Sequence, residues 1–233
     1  MSLVDLHCHI LHQIDDGPRD ISGSLEMAEA QVRCGVERVV ATPHVSHRFP
    51  NEFGDIEKRH RELVSALAER DIPLDVDLGA EISLTAAMQL GDEALAELRL
   101  GDGDWLLIEP PSTVDALGIQ SMLWEILGRG HRVLLAHPER MEAFQRSPDA
   151  IESLVNGGVK TQVTAAALNG RFGSSAERCA QDLFARGLVD VVASDAHNAR
   201  HRPPGLEGPL RFAGLGERVA AVCRDEPLAL LGN

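Results

Sequence analysis

LVDLHCH, residues 3–9, is an apolar run that closes on two histidines spaced two apart. Side chains alternate along a strand, so His7 and His9 share a face and can address one ion together. A lone histidine at a strand end is ordinarily a polar residue near solvent, and this pair gains meaning from the rest of the chain. Six further runs have the same design: VERVVATPH (36–44), LDVDLGAEI (74–82), WLLIEP (105–110), RVLLAHPE (132–139), VKTQVTA (159–165) and LVDVVASDAH (188–197). Near-continuous Val, Leu and Ile suit parallel strands buried on both faces. Helix-like stretches lie between the runs. SLEMAEAQVRCG (24–35) puts Leu25, Ala28 and Val32 on one face and stops at Gly35. EKRHRELVSALAERD (57–71), DALGIQSMLWEILGRG (115–130), PDAIESLVNGG (148–158) and SAERCAQDLFARG (175–187) behave alike. Strands alternating with helices, and no linker-like segment, predict one α/β domain over residues 1–233, a barrel of about seven βα units.

Composition narrows the function. A formal net charge of −14 over 233 residues opposes a broad footprint on nucleic acid, yet a bound metal can still reverse the field locally for a small anion. No 18-residue apolar run is present, so no membrane insertion is expected. The start, MSLVDLHCH, has neither the basic region nor the long apolar core of a signal peptide. Cys8, Cys34, Cys179 and Cys223 form no C-x-x-C pair and read as reduced thiols, which together predict a cytoplasmic protein. None is followed by Arg six residues later, and neither a P-loop nor G-x-S-x-G occurs. Cysteine-phosphatase, nucleotide and serine-hydrolase readings therefore lose their support.

The strand ends carry the chemistry. The runs close on His7 and His9, His44, Glu81, Glu109, His137, and Asp195 with His197. In a parallel barrel all C-terminal strand ends share one face, so residues remote in sequence converge there. Imidazoles and carboxylates without thiolates suit Zn, Mn or Fe(II), and predict a multinuclear metal site. Asp16, just before the first helix, reads either as a ligand or as that helix's cap. His12, His47, His60, His131 and His201 lack such placement and are expected at the surface.

Taken in order, DLHCHI, IDDGP, ATPH, GAEI, LLIEP, AHPER, TQVTAAALNGRFG, GLVDVVASDAHN and RPP resemble the polymerase-and-histidinol-phosphatase (PHP) superfamily, from about residue 3 to 204. Within it they resemble the bacterial manganese-dependent protein-tyrosine phosphatases of capsular and exopolysaccharide systems. The resemblance implies a distorted (β/α)7 TIM-like barrel holding three divalent ions, with Mn2+ expected and Fe or Zn as alternatives. It implies His7, His9, Glu81 and Asp195 around the first ion, and Glu81 bridging to a second completed by Glu109 and His137. Asp16, His44 and His197 would hold the third, with Asp15 as the alternative to Asp16. Arg140 and Arg202 match phosphate-binding positions, and Arg200 could replace Arg202. The implied activity is hydrolysis of protein phosphotyrosine by a metal-bridged hydroxide, the partner being the Tyr-rich tail of a bacterial tyrosine autokinase. A phosphatase of histidinol phosphate or a sugar phosphate is the alternative. Glu109, where many superfamily members have His, and the DDGP loop both speak against it. A metal-stabilised binding protein without turnover is the third reading. SHRFPNEFGDIEK (46–58) is expected as the rim loop after the second strand, where Arg48 and Phe49 can reach a substrate ring.

Overall fold

Each apolar run becomes parallel strand in the computed structural model, which describes residues 2–232. The strands are β1 (Leu3–Cys8), β2 (Val36–Ala41), β3 (His44–Val45), β4 (Asp75–Leu78), β5 (Glu81–Ser83), β6 (Trp105–Glu109), β7 (Arg132–Ala136), β8 (Lys160–Thr164) and β9 (Val191–Ala193). Seven runs give nine strands because two are interrupted, at Thr42-Pro43 and at Gly79-Ala80. Pro43 has no N–H for a ladder, and its carbonyl instead accepts from the Glu81 N–H at 3.1 Å. The sheet order is β1-β2-β4 and then β3-β5-β6-β7-β8-β9. The circuit closes between β9 and β1: the Asp195 N–H donates to the His7 carbonyl and the His9 N–H to the Ala196 carbonyl, both at 2.9 Å. The result is the barrel the runs predicted, distorted as the resemblance implies.

Alternation along the strands separates two apolar layers. Val4, Leu6, Val40, Trp105, Leu107, Leu134, Ala136 and Val191 pack together inside the barrel. Leu3, Val39, Leu106, Ile108, Val133, Leu135 and Val192 face outward against the helices. These helices are α1 (Ile21–Arg33), α2 (Phe53–Glu69), α3 (Ala116–Gly128), α4 (Asp149–Asn156) and α5 (Ser174–Ala185). α2 starts inside the segment expected as rim loop, so only residues 46–52 of it are loop.

The buried face of α1 differs from the expected one. Ser24, Met27, Ala28 and Gln31 are buried, while Leu25 and Val32 are only partly so. Two polar residues turn inward because they satisfy groups already there. Ser24 Oγ donates to the Ile10 carbonyl at 2.6 Å and Gln31 Nε2 to the Asp5 carboxylate at 2.7 Å. Asp20, not Asp16, caps this helix, accepting from the Gly23 N–H at 2.9 Å. Asp16 is thereby left for another role.

The N-terminal end of the barrel is plugged by Leu230 and Leu231, 2% and 0% exposed, packed with Trp105 and Val191. The approach is close: a Cβ on Gly103 would lie 2.0 Å from the Leu230 carbonyl oxygen. In parallel barrels this end generally serves stability and the opposite end carries the chemistry. Leu231→Ala is expected to cost about 2–5 kcal/mol through lost burial and a cavity. Denaturant titration checks it, with metal affinity unchanged.

Candidate metal centre

A bulge in β1 aims the first two histidines. Asp5 pairs with Val39 and Cys8 with Ala41, so β1 gains a residue relative to β2 between these points. The alternation resets: Leu6 joins the inner layer, Cys8 the outer, and the His7 and His9 rings meet the same two carboxylates. His7 Nε2 lies 3.3 Å from Glu81 Oε2 and 3.4 Å from Asp195 Oδ1. His9 Nε2 lies 3.2 and 3.4 Å from the same atoms, and 3.2 Å from His7 Nε2. All four side chains are buried.

Asp16 Oδ1 lies 3.3 Å from His197 Nε2 and 3.5 Å from His44 Nε2, and His9 completes a second group of donors. His44 Nδ1 turns the other way, 3.0 Å from Glu81 Oε2 and 3.9 Å from Glu109 Oε2. His137 Nε2 lies 2.7 Å from Glu81 Oε1. Glu81 thus touches His7, His9, His44 and His137 at once. Glu109 groups with Glu81 and His44, and His137 reaches this set through Glu81. His137 and Asp195 sit in the left-handed region, φ 33° and 51°, where side-chain-bearing residues are uncommon. The backbone is bent there to present both side chains at the strand ends, strain that clusters at functional sites.

Two arginines close the arrangement. Arg140 Nη1 and Arg202 Nη2 both donate to Asp195 Oδ2, the latter at 2.5 Å. Arg202 Nη1 also donates to His197 Nε2 at 3.0 Å. These side chains line a cavity of about 260 Å³, with Ser46, Arg48 and Phe49 on its rim. The Phe49 ring stacks on His44 with centroids 5.5 Å apart and planes 7° apart, and the Arg48 guanidinium lies over Phe49.

The donors fit divalent ions. Neutral imidazoles and carboxylates are the set that borderline dications take, and edges of 3.2–3.4 Å match the ~3.3 Å edge of a tetrahedron with bonds of about 2.0–2.1 Å. The buried His137 Nδ1 has no protein partner, leaving the ring held only through its Glu81 side.

Residues 3–215 match the family described as capsular polysaccharide synthesis, CpsB/CapC. The chain belongs to the CpsB/CapC family. The tyrosine-protein phosphatase YwqE of Bacillus subtilis is 33% identical over 201 residues, 86% of this chain and 79% of that protein. A solved structure from work on YwqE and on CpsB from Streptococcus pneumoniae, described as unique metal-dependent tyrosine phosphatases, is 31% identical with a TM-score of 0.80. It covers 99% of this chain and 92% of its own. A phosphotriesterase homology protein from Escherichia coli shares the fold at 14% identity, with a TM-score of 0.62 over 99% of this chain and 98% of its own.

In this CpsB/CapC chain the candidate ligand rings are oriented by residues that do not lie at strand ends. His7 Nδ1 pairs with Gln162 Oε1 at 2.9 Å and His9 Nδ1 with Asp15 Oδ2 at 2.7 Å, which turns both Nε2 atoms towards the cluster. Asp15, the neighbour weighed as an alternative ligand, also accepts from the Gly17 and His44 N–H groups. Gly17 allows this turn, since a Cβ there would lie 2.4 Å from the His9 carbonyl oxygen. Buried Asp5 accepts from the Ser194 N–H at 2.9 Å and from its hydroxyl, tying β1 to the start of the ASDAH loop. The available signal was a polar residue inside an apolar run, Asp5 in LVDLHC and Gln162 in VKTQVTA. Asp15→Asn should lower metal affinity about 10–100-fold, because the His9 ring loses its anionic partner and the new amide must oppose an N–H of either His9 or Gly17; metal titration reads this.

His12 and His131 correct the surface expectation. Both are 6% exposed, with Nε2 paired to Glu62 at 3.1 Å and to Asp92 at 3.0 Å. An imidazole buries its ring when its polar tip finds a partner. His60, half-buried, is 2.7 Å from the Val76 carbonyl, and His47 and His201 are exposed as expected.

Protons compete with cations at this site. Burial opposes charge on His7 and His9, but Glu81 and Asp195, joined by Asp15 for His9, outweigh it and raise both pKa values. Burial and the Glu81 charge push Glu109 up to about 7. Burial, then Arg140, lowers His137 to about 4, so its ring is neutral and ready to ligate. Metal loading must displace the protons on the raised groups, so affinity rises with pH. It should fall about tenfold per displaced proton for each pH unit below the group's pKa. Calorimetry in buffers of different ionisation heat counts those protons, and zero release would refute the coupling.

Proposed function

We propose that this chain is a metal-dependent protein-tyrosine phosphatase of capsule or exopolysaccharide synthesis. The observation that carries this is the double use of Asp195: one oxygen joins the His7 and His9 donors and the other receives Arg140 and Arg202. Cation ligands and anion-binding forks therefore face one cavity. The activity named for YwqE supports the same conclusion.

His7, His9, Glu81 and Asp195 would hold one ion, Glu81, Glu109 and His137 a second, and Asp16, His44 and His197 a third, with Mn2+ as the proposed metal. When bound, such ions supply Lewis acidity that lowers the pKa of water and offsets phosphoryl charge. Arg140 and Arg202 grip the phosphoryl oxygens and hold the group in line for displacement. Gln162 and Asp15 keep His7 and His9 in the ligating tautomer. The phenol leaving group of phosphotyrosine has a pKa of about 10 and departs with little help from an acid. The cavity wall needs no general acid for such an ester. The proposed substrate is the phosphorylated tail of a bacterial tyrosine autokinase, met in the cytoplasm, with the whole chain acting as one domain.

The test strips the protein with chelator and reloads it with Mn2+. Phosphate release is then compared for phosphotyrosine peptide, phosphoserine peptide and histidinol phosphate. Release from phosphotyrosine that depends on reloading is the expected result. A clear kcat/KM advantage for histidinol phosphate would replace the substrate and keep the chemistry.

A further inference from the structure

A second cavity of about 150 Å³ shares Asp195 and Arg202 with the metal-lined one. Ala166, Phe172 and Pro203 supply an apolar wall, and Arg171 and His201 supply its polar rim. The partition between the cavities is built from the phosphate-binding side: the Arg140 guanidinium lies 4.6 Å from the centroid of the Phe172 ring. At this size the cavity is below the roughly 300 Å³ at which small-molecule pockets begin, so it suits one side chain of a longer ligand.

Arg171 states the chemistry of that side chain. Its Nη2 donates to the His201 carbonyl at 2.8 Å, which fixes its aim. Among the described residues no carboxylate oxygen lies within 4.0 Å of its guanidinium. Arg48, on the rim of the main cavity, is likewise without a carboxylate at that distance. In a chain of net charge −14, Arg171 and Arg48 therefore carry charge at the site that no side-chain carboxylate among the described residues offsets by an ion pair. The small cavity sets two arginines, Arg171 and Arg202, against the single carboxylate Asp195, and a fixed fork beside an apolar wall matches a carboxylate on a short aliphatic stem.

We infer that the cavity of Ala166, Arg171, Phe172 and Pro203 is a peptide subsite that takes an acidic side chain within two positions of the phosphotyrosine. The inference rests on the proposed tyrosine-phosphatase activity. Successive side chains on an extended peptide alternate in direction, so one neighbour enters the subsite while the phosphorylated ring occupies the main cavity.

The test measures kcat/KM on Mn2+-loaded protein for phosphotyrosine peptides carrying Glu, Ala or Lys at each of the two positions on either side. Each value is taken as a ratio to phenyl phosphate, which has no flanking residue. Glu at one position should exceed Lys by about fivefold, the scale of one partly exposed ion pair. Arg171→Ala should level that preference and Arg171→Glu should reverse it. Arg171 is exposed, so neither substitution threatens the core. Equal ratios for Glu, Ala and Lys peptides, or a preference that survives Arg171→Glu, would overturn the subsite while leaving the phosphatase intact. Hydrolysis of phenyl phosphate with none of any peptide would overturn the tyrosine-phosphatase reading itself.

Discussion

Glu81→Gln should remove metal-dependent phosphate release, lowering kcat/KM about a thousandfold or more, the scale of several kcal/mol of lost transition-state stabilisation. Glu81 is 1% exposed, and its two oxygens lie within 3.3 Å of ring nitrogens from His7, His9, His44 and His137. No other carboxylate among the described residues reaches all four. The glutamine keeps the volume but loses the charge, and turns N–H donors on imidazoles that must offer lone pairs to a cation. Those imidazoles also lose the partner that raises the His7 pKa. The variant should therefore bind less metal and release fewer protons on loading. Metal content after dialysis, read beside kcat/KM and a denaturation curve, separates this from misfolding. Full metal content with activity within tenfold of the parent would remove Glu81 from the centre of the site.

Arg140→Lys should cost about a hundredfold in kcat/KM, roughly 3 kcal/mol, with metal content unchanged. Arg140 does two things from one planar group: an edge holds Asp195 Oδ2 while a face lies against Phe172. A lysine has no fork and no flat face, so it cannot hold Asp195 and a phosphoryl oxygen together. Arg202 still grips Asp195 at 2.5 Å, which keeps that candidate ligand in place and predicts unchanged metal content. The inhibition constant of inorganic phosphate should rise in parallel. Metal loss equal to that of Glu81→Gln would show that Arg140 serves the ligands rather than the substrate.

Much of this arrangement was visible in the chain because strand ends are local features. His44, Glu81, Glu109 and His137 each follow an apolar run, and one topological rule brings such ends to one face. Helices α2 to α5 also lie where apolar spacing put them, since an amphipathic stripe is a property of one segment. The inward side of α1 was not visible. Ser24 and Gln31 are polar by themselves and become interior only because the Ile10 carbonyl and the Asp5 carboxylate wait for them across the core.

The sequence by itself determined the alternation of strand and helix and the imidazole and carboxylate chemistry of the strand ends, and it withheld the motifs that thiol, P-loop and serine-hydrolase readings need. Each of these depends on residue type and short-range spacing alone. Tertiary structure decided which way the candidate ligands look. The bulge in β1 turns His7 and His9 to the same carboxylates, and the left-handed turn at Asp195 points one oxygen at those histidines and the other at two arginines. Asp15 and Gln162 became orienting partners only once the barrel closed. A hydrogen bond between residues 155 positions apart, such as His7 to Gln162, leaves no periodic trace in the chain, because its geometry exists only when separate strands are packed side by side.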